Sequence, residues 1–123
     1  MPRYMVQFSY SPEAWTSLIR HPQSRAEGLN LMLAEFGAQL VDMYFYYGEW
    51  DGFVIIEAPD DSSFVASLLA GNAPGHLKAT KISRVYTAEE NLEILRRASA
   101  VSYQGPPQVD FMELRWQPSP PSE

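Results

Sequence analysis

Tyr44 to Asp61 reads YFYYGEWDGFVIIEAPDD, and its punctuation decides the fold. Two strand-like runs flank the turn Gly48-Glu49-Trp50-Asp51-Gly52, which makes a β-hairpin. Ala58-Pro59 stops the second run, because proline has no backbone N–H to give a sheet. Asp60 or Asp61 then supplies an acidic helix cap. The second run, Phe53 to Glu57 (FVIIE), is apolar on both faces until Glu57, the pattern of a central strand covered on both sides. The first, residues 38–47, alternates. Val41, Met43, Phe45 and Tyr47 fall opposite Leu40, Asp42, Tyr44 and Tyr46, so one set is expected under helices and the other on the opposite face.

The flanking segments complete the pattern. Residues 3–10 (RYMVQFSY) place Tyr4, Val6 and Phe8 on one face and Met5, Gln7 and Ser9 on the other, the period of a strand with one face deeply buried. Ser11-Pro12-Glu13 combines a hydroxyl cap, a proline at the first helical position and an acid in the first turn. Pro22 is predicted to break this helix at His21. Beyond the break, Leu29, Met32, Leu33 and Phe36 recur at helical spacing up to a closing Gly37. After the hairpin, a helix carries Phe64, Val65, Leu68 and Leu69 on one face, ends at Gly71 to Gly75, and leads into a strand over residues 76–86. The order β-α-β-β-α-β is the ferredoxin-like arrangement of an α+β domain with an antiparallel sheet. Thr87-Ala88-Glu89-Glu90 is a capping box opening a further helix. Residues 1–90 are therefore expected as the domain. Residues 91–123 are expected as a C-terminal helix and a proline-spaced arm packed on it or on a partner. Within the arm, Met112, Leu114 and Trp116 alternate with Phe111, Glu113 and Arg115, as in a segment that adds to a sheet edge.

Composition narrows the function classes. A chain of 123 residues is sized for one domain. It contains no cysteine, which rules out disulfides, thiolate metal sites and thiol nucleophiles. That usage, the lack of a leader-like apolar run after Met1 and the lack of a stretch of ~20 apolar residues give a cytoplasmic chain with no membrane partner as the expectation. A formal charge of −6 opposes nucleic-acid binding, which needs a basic footprint. His21 and His76 are the only histidines, in no metal-binding spacing, and no nucleotide or nucleophile-elbow motif occurs. No cofactor and no metal are expected.

The strand, broken helix, hairpin and apolar strand ending in Glu57-Ala58-Pro59-Asp60, with Gly48-Glu49-Trp50-Asp51 in the turn, resemble the GYD domain family over roughly residues 3–90. Trp50 stands where that family has tyrosine, and Gly52 where a larger residue is usual. The resemblance implies a ferredoxin-like fold that dimerises sheet to sheet as an α/β barrel. It implies no activity.

Candidate site residues follow from the sheet face opposite the helices. Tyr44 and Tyr46 combine aromatic bodies with polar tips, as ligand pockets do. Gln7, Ser9, Lys78, Thr80 and Arg84 are expected beside them, Arg84 as an anion anchor. Trp50 and Asp51 belong to the turn, where aspartate commonly accepts backbone N–H bonds. Glu57 closes a buried strand, where burial is expected to raise its pKa. The leading expectation is a small-molecule-binding homo-oligomer using Tyr44, Tyr46, Trp50, Asp51, Glu57 and Arg84. A second is a cofactor-independent monooxygenase- or isomerase-like enzyme, in which Asp42 or Glu57 takes a proton and a tyrosine donates to the oxyanion. A third is a structural or protein-interaction module.

Overall fold

The structure, a computed structural model, describes residues 1–106, so the expected C-terminal arm lies outside the described residues. Residues Met1–Thr87 form one compact unit, and a second begins at Ala88. In the first, the elements run β1 (Arg3–Tyr10), α1 (Pro12–Arg20), α2 (Ala26–Ala34), β2 (Gln39–Phe45), β3 (Gly52–Glu57), α3 (Asp61–Asn72) and β4 (Leu77–Val85). The antiparallel strands lie in the order β2-β3-β1-β4. That is the ferredoxin-like fold, with β1 and β3 at its centre.

Local chemistry sets the boundaries. Ser11 caps α1, its Oγ accepting from the Ala14 amide at 3.2 Å. The His21-Pro22 break ends α1 at Arg20 and leaves residues 21–25 to bridge to α2. Asp60 caps α3 by accepting from the Ser63 amide at 2.8 Å, and Gly37 closes the turn after α2 with φ 70°. In the second unit, α4 (Ala88–Ser99) carries Glu89 and Glu90 in its first turn and Arg96 and Arg97 in its last, each sign at the end of the helix dipole that favours it.

The helices cover one sheet face. Tyr4, Val6 and Phe8 of β1 and Val54 and Ile56 of β3 are buried there with Leu33 and Phe64. Burying such side chains is the main stabilising term, about 2 kcal/mol each. The Tyr4 ring stacks on Phe64 with centroids 3.9 Å apart, and its hydroxyl donates to Asp61. That pair fixes α3 to the sheet.

Register corrects the expected faces in two places. The β2–β3 pairing shifts between Leu40 and Asp42, leaving Val41 as the extra residue of a bulge. Leu40 therefore joins Met43 against the core, and Phe45 packs on Phe8 at 5.6 Å. Val41 does not take the expected core position. Asp42 and Tyr44 still face away, opposite Ile55 and Phe53. In β4, Arg84 lies opposite Tyr4 and Thr80 opposite Phe8. Cross-strand partners share a face, so both are on the helix-bearing side rather than with Tyr44. A second register shift, beside Tyr10, leaves Lys78 without a strand partner. Alternation read from β4 alone could not choose between faces; the pairing with β1 decides it.

Candidate functional site

The residues expected to form one site fall into three places. Tyr44 and Tyr46 share the face without helices, 57% and 43% exposed. Their rings lie 5.6 and 6.3 Å from that of Phe53, and Gln7 Nε2 donates to the Tyr46 hydroxyl at 3.2 Å. Glu57 is on the same face. It is four residues along β3 from Phe53, about 13 Å at the usual strand rise. Its two carboxylate oxygens accept from Arg3 Nε at 2.8 Å and Gln39 Nε2 at 2.7 Å. Those donors, Gln39 foremost and Arg3 after it, outweigh desolvation and hold the carboxyl below its ordinary 4.5. This reverses the expected upward shift, because the end of β3 is ringed by donors rather than by apolar groups. A carboxylate held below its ordinary value is a weaker proton acceptor than a free one.

Asp51 sits elsewhere, at the junction of the hairpin with β1 and α1. One oxygen, Oδ2, accepts from the Tyr10 amide at 2.8 Å and from Trp15 Nε1 at 3.0 Å. Trp50, half-buried, belongs to the same turn, which is closed by the Gly48 amide donating to the Trp50 carbonyl at 3.0 Å. Asp51→Ala is expected to cost about 2 kcal/mol in urea unfolding, because both donors lose their partner. Asp51→Asn keeps an acceptor oxygen and should lose under about 1 kcal/mol. An alanine variant as stable as the parent would remove the structural role. Arg84 occupies the third place. Its guanidinium donates to the carbonyls of Arg3 and Val85 and lies 5.6 and 4.6 Å from the rings of Tyr4 and Tyr86.

A concavity lies on the other side of the sheet. A cavity of about 750 Å³ lies between β1 and β3 below and α1, α2 and α3 above, all within residues 1–87. That volume is within the usual range for small-molecule sites. Its lining is mainly apolar, with Val6, Val54, Leu29, Met32 and Leu68 in it, and also includes Asn72 and the exposed Glu13, Arg25 and His76. The gap follows from the Pro22 break. α1 packs on β1 while α2 packs on β2 and α3, so the helical layer parts between them. Gly71 of α3 lies against Met32 of α2, where a Cβ would meet Met32 Cε at 3.4 Å. Among the described residues the buried Asn72 Oδ1 atom has no hydrogen-bond partner. Tyr10 is among the lining residues, its ring 5.2 Å from that of Trp15, with Tyr47 5.8 Å from Trp15.

Sequence reasoning missed this cavity and the roles of Tyr10, Trp15, Arg25 and Asn72. The available signal was Pro22, whose effect on the helix was legible while its effect on the helical layer was not. Among the described residues no three His, Asp or Glu side chains come together to hold a metal, and no helix is long and apolar enough to cross a membrane.

Strand order and site together define a ferredoxin-like α+β domain with a cavity under its helices and a tyrosine-bearing sheet face opposite. The GYD domain family matches residues 4–95, and the chain belongs to that family. The chain is also similar to the crystal structure of TTHA0845 from Thermus thermophilus, at 16% identity, covering 72% of this chain and 96% of that one, with a TM-score of 0.46. No curated protein matches.

Proposed function

We propose that this chain is a cytoplasmic small-molecule-binding module that works as a homo-oligomer, with the ligand held in the cavity between sheet and helices. The observation that carries this reading is the cavity of about 750 Å³ between the sheet and helices α1 to α3. Its mainly apolar lining is joined by a few polar side chains, Glu13, Arg25 and His76 among them, the combination that small-molecule sites show.

The oligomer is supported by the opposite face. Exposed Tyr44 and Tyr46 lie beside half-buried Met5, Phe53 and Ile55, an apolar surface with polar tips of the composition interfaces favour. Tyr44, Tyr46 and Glu57 then serve assembly, and Glu57, clamped by Gln39 and Arg3, orders the sheet edge rather than taking a proton.

Native mass spectrometry of the chain incubated with the neutral dye Nile red tests both parts. A dimer or larger species carrying one dye per chain is expected. Leu29→Trp, which fills the cavity from α2, should lower dye affinity about tenfold, equivalent to about 1.4 kcal/mol, and leave the oligomer intact. Dye binding undiminished in the variant would sink the cavity assignment. A monomer at every concentration would sink the oligomer.

A further inference from the structure

We propose that the cavity takes an amphiphilic organic acid, its apolar body against the sheet and its single carboxylate at the mouth, on the Arg25 guanidinium and the Tyr10 hydroxyl. This rests on the cavity being the ligand site. Arg25 precedes α2, and its guanidinium folds back over Gly28, where a Cβ would lie 3.5 Å from Nη1. A side chain at 28 would thus meet the guanidinium at ordinary contact distance. Its protein contact is a marginal one, 3.5 Å from Nη1 to the Gln23 side-chain oxygen. Among the described residues no carboxylate lies within ion-pair distance of it. An arginine with free donors at the rim of an apolar hole fits a planar anion.

Tyr10 faces the same space. Its ring is held by Phe8 at 5.3 Å, Trp15 at 5.2 Å and Phe45 at 6.4 Å. Among the described residues its hydroxyl has no hydrogen-bond partner, its bond to Asp51 being through the backbone amide. Burial raises its pKa, and Arg25 is the group that draws it back down. The phenol is thus a neutral donor at ordinary pH, and Tyr10 and Arg25 both line the cavity.

The remaining rim charges choose the head group. Glu13, exposed in the first turn of α1, supplies a negative charge, which weighs more heavily against a doubly charged phosphate than against a single carboxylate. Asp51, which accepts from the Tyr10 amide and Trp15 Nε1, is a second negative charge acting on Tyr10 and adds to that bias. His76 is exposed, and its backbone carbonyl is taken by the Ser11 amide. The Arg25 cation and the neutral Tyr10 hydroxyl match a single negative charge, and an apolar chain matches the walls.

Calorimetric titration of the full chain with decanoate, decanol and decyl phosphate at neutral pH separates the possibilities. Decanoate is expected to bind about tenfold more tightly than decanol, the size of one charge-assisted contact. Arg25→Gln, an exposed substitution, should erase that preference, bringing decanoate to about the affinity of decanol. Tyr10→Phe should weaken decanoate about threefold. Equal affinity for decanoate and decanol, tighter binding of decyl phosphate, or a preference that survives Arg25→Gln would each overturn the head-group assignment while leaving the cavity as a binding site. Failure of all three compounds to bind the folded chain would overturn the cavity reading as well.

Discussion

Gly52→Ala is expected to destabilise the fold by about 3 kcal/mol, the upper end for forcing an extra carbon into a packed site. The residue opens β3 and pairs with Phe45 across the hairpin. A Cβ at this position would overlap the Tyr44 carbonyl oxygen and lie 3.0 Å from Phe8 Cζ and 3.2 Å from Phe45 Cα. The Phe8 ring can turn aside, but the other two atoms are backbone. Relief requires moving β2 away from β3, and with it the Asp51 clasp on β1 and α1. For a domain of this size, whose whole stability is on the order of 5–15 kcal/mol, that is a large share. Urea unfolding reads it as a fall in midpoint, and Gly52→Val should leave little folded protein. Phe8→Leu in the alanine background removes one clash of three and should recover under half the loss. A Gly52→Ala variant within about 0.5 kcal/mol of the parent would show that the hairpin has room the packing denies it.

That prediction also explains why glycine stands at position 52. The turn alone gives no reason for it. The reason is tertiary. Phe8 from β1 and Phe45 from β2 meet edge to face at 5.6 Å, over the space a side chain at position 52 would fill.

The same division runs through the rest of the chain. Period and punctuation were legible wherever the cause is local: the Ser11 and Asp60 caps, the Pro22 break, the hairpin, and the alternation of Tyr4, Val6 and Phe8. They were not legible where pairing decides. Val41 gave no sign of a bulge, and nothing in KISRV says that Arg84 faces Tyr4. The site shows the same limit more sharply. Tyr44 and Tyr46 were placed correctly on the open face. The cavity draws on every element from β1 to β4, from Val6 to Leu77, and no short motif encodes such a gap. Glu57 shows how a local environment can defeat a general rule, since burial alone would raise its pKa while Gln39 and Arg3 lower it.

Phe64→Ala is expected to cost about 4 kcal/mol, within the range for deleting a buried aromatic ring. Phe64 is 2% exposed and does two jobs at once. It stacks on Tyr4 at 3.9 Å with the planes 4° apart, and it forms part of the cavity wall. Truncation opens the existing void toward the sheet, and helices already parted have little capacity to collapse into it, which puts the loss in the upper part of the range. Phe64→Leu refills most of the space and should lose under about 2 kcal/mol. The Tyr4 phenol gives an independent readout. Burial first, then the hydrogen bond to Asp61, pushes its pKa from 10.0 up to about 12. A raised pKa on a group neutral when protonated means that the fold favours the protonated form. The associated stability is complete below pH 10 and is lost as pH rises toward about 12. Removing the Phe64 ring hydrates Tyr4, so its titration, followed by ultraviolet absorbance, should move back toward 10.0. A loss in Phe64→Ala under about 2 kcal/mol, or a Tyr4 titration unchanged in it, would mean that α3 is not held to the sheet by this stack, and that the cavity wall is set by other contacts.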